Sequence, residues 1–249
     1  MTDRLVAFIT GGTRGIGRAI GEALAAANYK VVLTYYSKRD VATKTEKEFR
    51  ASGADVLTLE MDVSVKTSVC KGIAATIDAY GRIDLLVNNA GILQQKPFCE
   101  ISDTDWDRML AVNLKGAFTC SQQVLPIMER QGGGSIINIV SSGGQVGGTL
   151  AVHYAASKAG LISLTKSLAR LGAPYGIRAN CISPGLIETE MTEQEIASEL
   201  GQAKIARDIP LGKVGMPSDV ASLAAFLASN KANYITGQTY NVNGGLYMG

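Results

Sequence analysis

Short apolar runs of strand length recur along the chain, separated by segments of helical length. The strand candidates are Leu5–Thr10, Val31–Thr34, Val56–Met61, Leu85–Asn88, Ser135–Val140, Arg178–Ile182 and Gln238–Val242. Between the first two, Ile16, Ala19, Ile20, Ala23 and Leu24 repeat at the spacing of one helix face, which predicts a helix over Gly15–Asn28. Val41–Ser52, Ser64–Tyr80, Thr104–Gln131, Tyr154–Leu171 and Pro217–Ala228 read as further helices. A strand with one wet face alternates apolar and polar residues. These runs are nearly continuously apolar, which suits a parallel sheet covered on both faces. No internal repeat, low-complexity stretch or linker interrupts the alternation. The pattern predicts a single α/β domain over residues 1–249, a doubly wound parallel sheet of about seven strands with helices on both faces.

Composition then narrows the classes of function. Lys plus Arg number 24 against 22 Asp plus Glu, a net formal charge of +2. No nucleic-acid partner is expected from so balanced a chain. Hydrophobic residues at 46% and charged residues at 18% can build a core and exclude a disordered chain. The 28 glycines point to tight turns and close backbone approaches. Cys70, Cys99, Cys120 and Cys181 are isolated, so neither a zinc ribbon nor a disulfide framework is signalled. Cys99 and Cys120 read as buried spacers. A single histidine, His153, leaves an imidazole metal site or a Ser-His-Asp hydrolase hard to assemble, and no metal is expected. The first apolar run, Leu5–Ile9, is shorter than a signal-peptide core, and no segment approaches the ~20 apolar residues of a membrane helix. A soluble, cytoplasmic protein is the expectation.

Three constellations carry candidate chemistry. Thr10-Gly11-Gly12-Thr13-Arg14-Gly15-Ile16-Gly17 lies between the first strand and the first helix. Glycines there let the backbone approach a pyrophosphate at the helix N-terminus; a plain strand-to-helix turn is the alternative. No GxxxxGK[ST] loop is present, which disfavours an NTPase. Beyond the second strand, Thr34-Tyr35-Tyr36-Ser37-Lys38-Arg39 offers no acid before Asp40. An NAD site usually presents a carboxylate there, whereas Arg14, Lys38 and Arg39 would attract a 2′-phosphate, which favours NADP. Lys38 and Arg39 also admit a plainer reading as solvated loop residues. Tyr154 and Lys158, four apart, share a helix face, and an ammonium beside a phenol stabilises phenolate. Ser141 precedes Tyr154 by 13 residues, at the carboxyl end of a strand, where α/β sheets bind ligands. His153 is expected at a cleft edge or an interface, and Trp106, Met109 and Leu110 in a core or subunit contact.

The chain resembles the short-chain dehydrogenase/reductases, a Rossmann-type family, over essentially its whole length. The likeness rests on the glycine motif Thr10–Gly17, Asn88-Asn89-Ala90-Gly91, Asn113, Ser141, Tyr154-Ala155-Ala156-Ser157-Lys158, Pro184-Gly185 with Thr189, Gly237 and Asn243-Gly244-Gly245. Within the family it is similar to 3-oxoacyl-acyl-carrier-protein reductases, through Ile187-Glu188-Thr189-Glu190-Met191-Thr192 and Asn243-Gly244-Gly245-Leu246-Tyr247-Met248. The resemblance implies an oxidoreductase with a catalytic set of Asn113, Ser141, Tyr154 and Lys158. Tyr154 would protonate the substrate carbonyl oxygen, Ser141 would polarise it, and Lys158 would hold the nicotinamide ribose and lower the Tyr154 pKa. Asn113, at a disturbed helix turn, would position a water. Cofactor contacts are implied at Gly11, Thr13, Arg14, Gly15, Ile16 and Gly17, then at Ser37 and Lys38, and again at Tyr154 and Lys158. Asp62 and Val63 would flank the adenine, and Asn89, Ala90 and Gly91 would line the cofactor. Pro184, Gly185, Ile187 and Thr189 would orient the nicotinamide, and a lid would cover the substrate from about 190 to 210.

The leading expectation is thus NADP(H)-dependent reduction of a 3-oxoacyl thioester, on acyl carrier protein or coenzyme A, by a homotetramer. A sugar or polyol dehydrogenase of the same family is the alternative, and a non-catalytic nucleotide-binding regulator a distant third. Carrier-protein reductases of this type place basic residues beside the active-site entrance to steer an acidic carrier. The corresponding positions here are Gly132 and Tyr175, neither charged.

Overall fold

The structure, a computed structural model, describes residues 4–249, apart from the side chains at 195, 200–202, 204 and 206. β1 (Val6–Ile9), β2 (Lys30–Tyr35), β3 (Val56–Glu60), β4 (Leu85–Asn88), β5 (Gly134–Ile139), β6 (Ile177–Pro184) and β7 (Thr239–Val242) form a seven-stranded sheet ordered β3-β2-β1-β4-β5-β6-β7. All pairs are parallel. The connections contain α1 (Gly15–Ala26), α2 (Arg39–Ala51), α3 (Lys66–Tyr80), α4 (Asp103–Leu110), α5 (Gly116–Gln131), α6 (Gly143–Val146), α7 (Val152–Gly172), α8 (Glu193–Ala197), α9 (Glu199–Asp208) and α10 (Pro217–Ala228).

Continuous apolar strands follow from helices on both faces. Ala7 and Ile9 of β1 join a core with Ile20 and Leu24 of α1, Phe49 of α2 and Val220 and Leu227 of α10. Val6 and Phe8, pointing the other way, join Val69 and Ile73 of α3, Cys120 and Val124 of α5 and Leu168 of α7. Each fully buried Leu or Ile contributes about 2 kcal/mol. Strand order reverses at β1, whose neighbours are β2 and β4, and the crevice beyond that reversal is where such sheets take ligands.

Several expectations are corrected. The helix expected over Thr104–Gln131 is interrupted by a π turn at Ala111–Lys115, between α4 and α5. A π turn accommodates an extra residue without leaving the helix, so the apolar pattern continues on either side and conceals it. α6, α8 and α9 lie in stretches too short or too polar to show a periodic face. Cys99 is exposed, in a short turn beside exposed Phe98, whereas Cys120 is fully buried. A lone cysteine outside a periodic segment carries no face information. Met109 is buried while Trp106 stands on the outer side of α4, 38% exposed. His153 is fully buried rather than at a cleft edge, with Nε2 2.9 Å from Gln94 Oε1. Gly132 and Tyr175 do not flank a carboxyl-edge entrance. Gly132 precedes β5 and Tyr175 precedes β6, at the amino edge of the sheet, roughly 20 Å of strand away from Ser141. No described helix is long and apolar enough to cross a membrane.

Candidate active site

The chain beyond β1, β4, β5 and β6 opens onto one cleft of about 340 Å³. Its first wall is the turn from β1 into α1. The Gly12 N–H donates to the Thr34 carbonyl and the Thr45 hydroxyl to the Thr13 carbonyl, each at 2.9 Å, which pins the turn to β2 and α2. Asn89 Nδ2 donates to the carbonyls of Thr10 and Gly11, both at 2.9 Å. The Thr10 hydroxyl accepts from the N–H groups of Asn89 and Ala90 at 3.0 Å, so the turns after β1 and β4 form one unit. Arg14, Gly15 and Ile16 line the cleft. Arg14 is extended, no side chain caps α1, and its first turn contains no acid, so backbone N–H groups are left to an anion.

Gly17 explains part of the motif. A Cβ there would lie 2.5 Å from Asn89 Nδ2 and closer still to the Gly11 carbonyl oxygen. Gly17→Ala is therefore expected to cost about 1–3 kcal/mol, because backbone and a committed amide cannot both retreat. A thermal melt should show Tm lowered by roughly 2–4 °C per kcal/mol. An unchanged Tm would mean that the turn yields freely.

The opposite wall carries the reactive groups. Ser141 lies just beyond β5, its Oγ accepting from the Gly143 N–H at 3.2 Å. Tyr154 and Lys158, one turn apart at the start of α7, face the same cleft. Burial pushes the Tyr154 phenol above its usual range, and the neighbouring Ser141 hydroxyl pulls the other way. Lys158 is buried, Nζ donating to the Ile139 carbonyl at 2.8 Å and lying 5.7 Å from the Tyr154 ring centroid. Loss of solvent lowers its ammonium pKa from 10.5 to about 8. Gly91 leaves the space before it open: a Cβ there would stand 3.5 Å from Lys158 Nζ and 3.3 Å from Asn113 Oδ1. Asn113, in the π turn, lies behind the wall, Oδ1 accepting from the Ile92 N–H at 2.8 Å and Nδ2 donating to the Ile92 carbonyl at 3.0 Å.

Pro184, Gly185, Ile187 and Thr189 form the third wall. The Gly185 N–H donates to the Val242 carbonyl at 3.0 Å, and Leu186 and Glu188 pair with Gly215 through backbone bonds of 2.9 Å. Thr13, Gly17, Ser37, Lys38, Asp62, Val63 and Asn113 are not on the cleft wall. Asp62 Oδ1 accepts from the Ser64 N–H and hydroxyl at 2.8 and 2.7 Å, and Val63 is buried against the start of α5. Ser37 and Lys38 are exposed at the tip beyond β2.

Sequence reasoning missed the role of one wall residue. Glu190 bridges two of the three expected phosphate-binding cations, its Oε2 2.5 Å from Arg14 Nη1 and 3.0 Å from Lys38 Nζ. Those bonds, Lys38 first, hold its carboxyl below the usual carboxylate range. Leu93, Met191, Thr192 and Leu246 also line the cleft. Their nearness to quoted motifs was the available signal; for Glu190, a pair of nearby cations wanting an anion was the signal.

A profile described as "Enoyl-(Acyl carrier protein) reductase" matches residues 11–247. A 3-oxoacyl-[acyl-carrier-protein] reductase of Staphylococcus aureus is 41% identical over 242 residues, covering 97% of this chain and 98% of its own. The corresponding reductase of Synechocystis is 40% identical over 244 residues, covering 98% and 97%. The crystal structure of a protein called gox2181 superposes with a TM-score of 0.94 at 38% identity, over 98% of this chain and 96% of that one. Sheet order, cleft and likeness along nearly the full length agree, and the chain belongs to the short-chain dehydrogenase/reductase family of oxidoreductases.

Proposed function

We propose that the chain is an NADP(H)-dependent reductase that converts a 3-oxoacyl thioester to its 3-hydroxy form, and that Ser141, Tyr154, Lys158 and Asn113 carry the reaction. The observation behind this reading is the convergence of Ser141, Tyr154 and Lys158 at one end of a cleft whose other end is the uncapped start of α1. Relatives of this family use a nicotinamide cofactor, and the residues present fit one. The helix end suits the pyrophosphate, and the space kept open by Gly91 before Lys158 suits the nicotinamide ribose.

The bound dinucleotide supplies hydride; the chain positions the carbonyl and moves the proton. Two hydroxyls, Ser141 and Tyr154, hold the carbonyl oxygen. The raised phenol stays protonated at neutral pH, so Tyr154 is ready as donor. Lys158 binds the ribose and steadies the phenolate left behind. Asn113 keeps the turn after β4 in place through Ile92 and positions the water that reprotonates the site. Residues from about 190 to 210, including α8 and α9, cover the substrate. Assembly is as a homotetramer through α5 and α7; Phe118 and Leu171 on these helices are exposed in the single chain.

Arg14 and Lys38, with no acid between 34 and 39, support NADP over NAD. NADPH is expected to bind at least about tenfold more tightly than NADH in a fluorescence titration. Tyr36→Asp combined with Arg14→Ala should narrow or reverse the difference. A preference of the unmodified chain for NADH would reject the coenzyme reading. Gly132 and Tyr175 lie at the amino edge of the sheet, away from the cleft, and so do not decide between carrier-bound and simple thioesters; a sugar or polyol dehydrogenase is the second reading. Values of kcat/KM for carrier, coenzyme A and sugar substrates at low and high salt decide between them. A large, salt-sensitive advantage for the carrier would establish the carrier-bound substrate.

A further inference from the structure

Glu190 occupies the place where the proposed coenzyme reading puts an anion. Arg14 comes from the glycine turn, Lys38 from the tip beyond β2, and Glu190 from the segment after β6. One carboxylate oxygen bonds both cations. All three side chains are about half exposed, at 50%, 52% and 54%. Exposed ion pairs are weak, so this bridge is exchangeable. It is also tied to a larger element. Thr192, two residues on, donates its hydroxyl to the Ile187 carbonyl at 2.5 Å and accepts from the Thr189 N–H at 3.1 Å, which makes 187–192 a firm turn leading into α8 and α9.

The charges set the outcome. With Glu190 in place the cluster carries two positive charges and one negative. A 2′-phosphate brings close to two negative charges and three acceptor oxygens. If Glu190 stayed, the cluster would turn net negative, with carboxylate and phosphate competing for the same donors. If Glu190 leaves, two cations and a dianion balance. A 2′-hydroxyl brings no charge and has no reason to displace it.

We propose that Glu190 is a coenzyme-discriminating latch: it holds Arg14 and Lys38 when no 2′-phosphate is bound, and a 2′-phosphate displaces it, so the phosphate end of the coenzyme releases the 190–208 segment. This inference rests on the coenzyme-cleft reading above. It makes Glu190 a specificity residue that weakens 2′-phosphate binding in exchange for linking it to the substrate cover.

The test compares Glu190→Gln, which keeps size and removes charge at an exposed position, with the unmodified chain. Calorimetric titrations use adenosine 2′,5′-bisphosphate against adenosine 5′-monophosphate, and NADPH against NADH. The variant should bind the bisphosphate and NADPH about three- to tenfold more tightly, in keeping with two weak exposed pairs. The monophosphate and NADH should change by less than about twofold. Amide hydrogen exchange supplies a second readout. The bisphosphate should speed exchange over 190–192 in the unmodified chain, the monophosphate should not, and the variant should exchange fast without ligand. Unchanged or weaker bisphosphate binding by the variant overturns the latch, as does equal tightening of the monophosphate or exchange slowed by the bisphosphate. The coenzyme reading is judged separately, by which coenzyme the unmodified chain prefers, whereas the latch is judged by the ratio of variant to unmodified affinity.

Discussion

Tyr154→Phe is expected to lower kcat for reduction of a 3-oxoacyl-coenzyme A thioester by about 10²–10⁴-fold, the usual worth of a positioned acid. The substitution removes one oxygen and leaves the ring. Ser141 keeps its bond from the Gly143 N–H and Lys158 keeps its bond to the Ile139 carbonyl, so the wall itself should hold. NADPH affinity should stay within about twofold, because the phenol is assigned to the substrate and Lys158 to the ribose. Steady-state kinetics beside a coenzyme titration separate the two effects. Near-normal turnover would remove Tyr154 from the chemistry, and a parallel collapse of NADPH binding would show that it shapes the cleft instead.

Lys158→Met should damage both rate and NADPH binding, and it should leave a distinctive pH signature on stability. The Lys158 ammonium pKa falls from 10.5 to about 8 through burial. Between those values the folded chain has released a proton that the unfolded chain still holds, so stability rises with pH across that window. Below pH 8 both states are protonated, and the folded chain carries the full cost of a buried ammonium, about 3 kcal/mol for a fall of this size. Methionine keeps the length and removes the charge. The stability of the variant relative to the unmodified chain should be highest near neutrality and shrink by up to about 3 kcal/mol toward pH 10.5. Urea unfolding of both proteins at several pH values measures this. A difference constant with pH would mean that Lys158 is solvated, and with it the proposed pairing with Tyr154 would weaken.

The sheet was legible because its central strands are apolar on both faces, a pattern that belongs to covered parallel strands. Ser141, Tyr154 and Lys158 were legible because strand end and helix start fix their neighbourhood. What failed was whatever depends on contacts between distant segments. Glu190 lies 176 residues from Arg14 and 152 from Lys38, and no periodicity relates them. His153 sits one residue from Tyr154, yet its burial comes from packing and a bond to Gln94, 59 residues earlier. The π turn around Asn113 is hidden from helical periodicity, which tolerates one added residue, and was legible only through the family resemblance, which implied a disturbed turn there. Gly132 and Tyr175 were misplaced because closeness to a strand says nothing of which end faces the ligand.

The reversal of strand order at β1 also bears on how the molecule can be recombined. In the proposed reading, the helix-end and β2-tip groups assigned to the coenzyme phosphates precede β3, while Ser141, Tyr154 and Lys158, assigned to the chemistry, follow β4. That reading puts coenzyme preference and substrate chemistry in separate stretches of the chain. Glu190 is the stitch between them, read from the second stretch and acting on the first. A chimera that imported a new amino-terminal third and kept Glu190 would set foreign side chains against a carboxylate matched to Arg14 and Lys38, and its coenzyme preference would belong to neither parent.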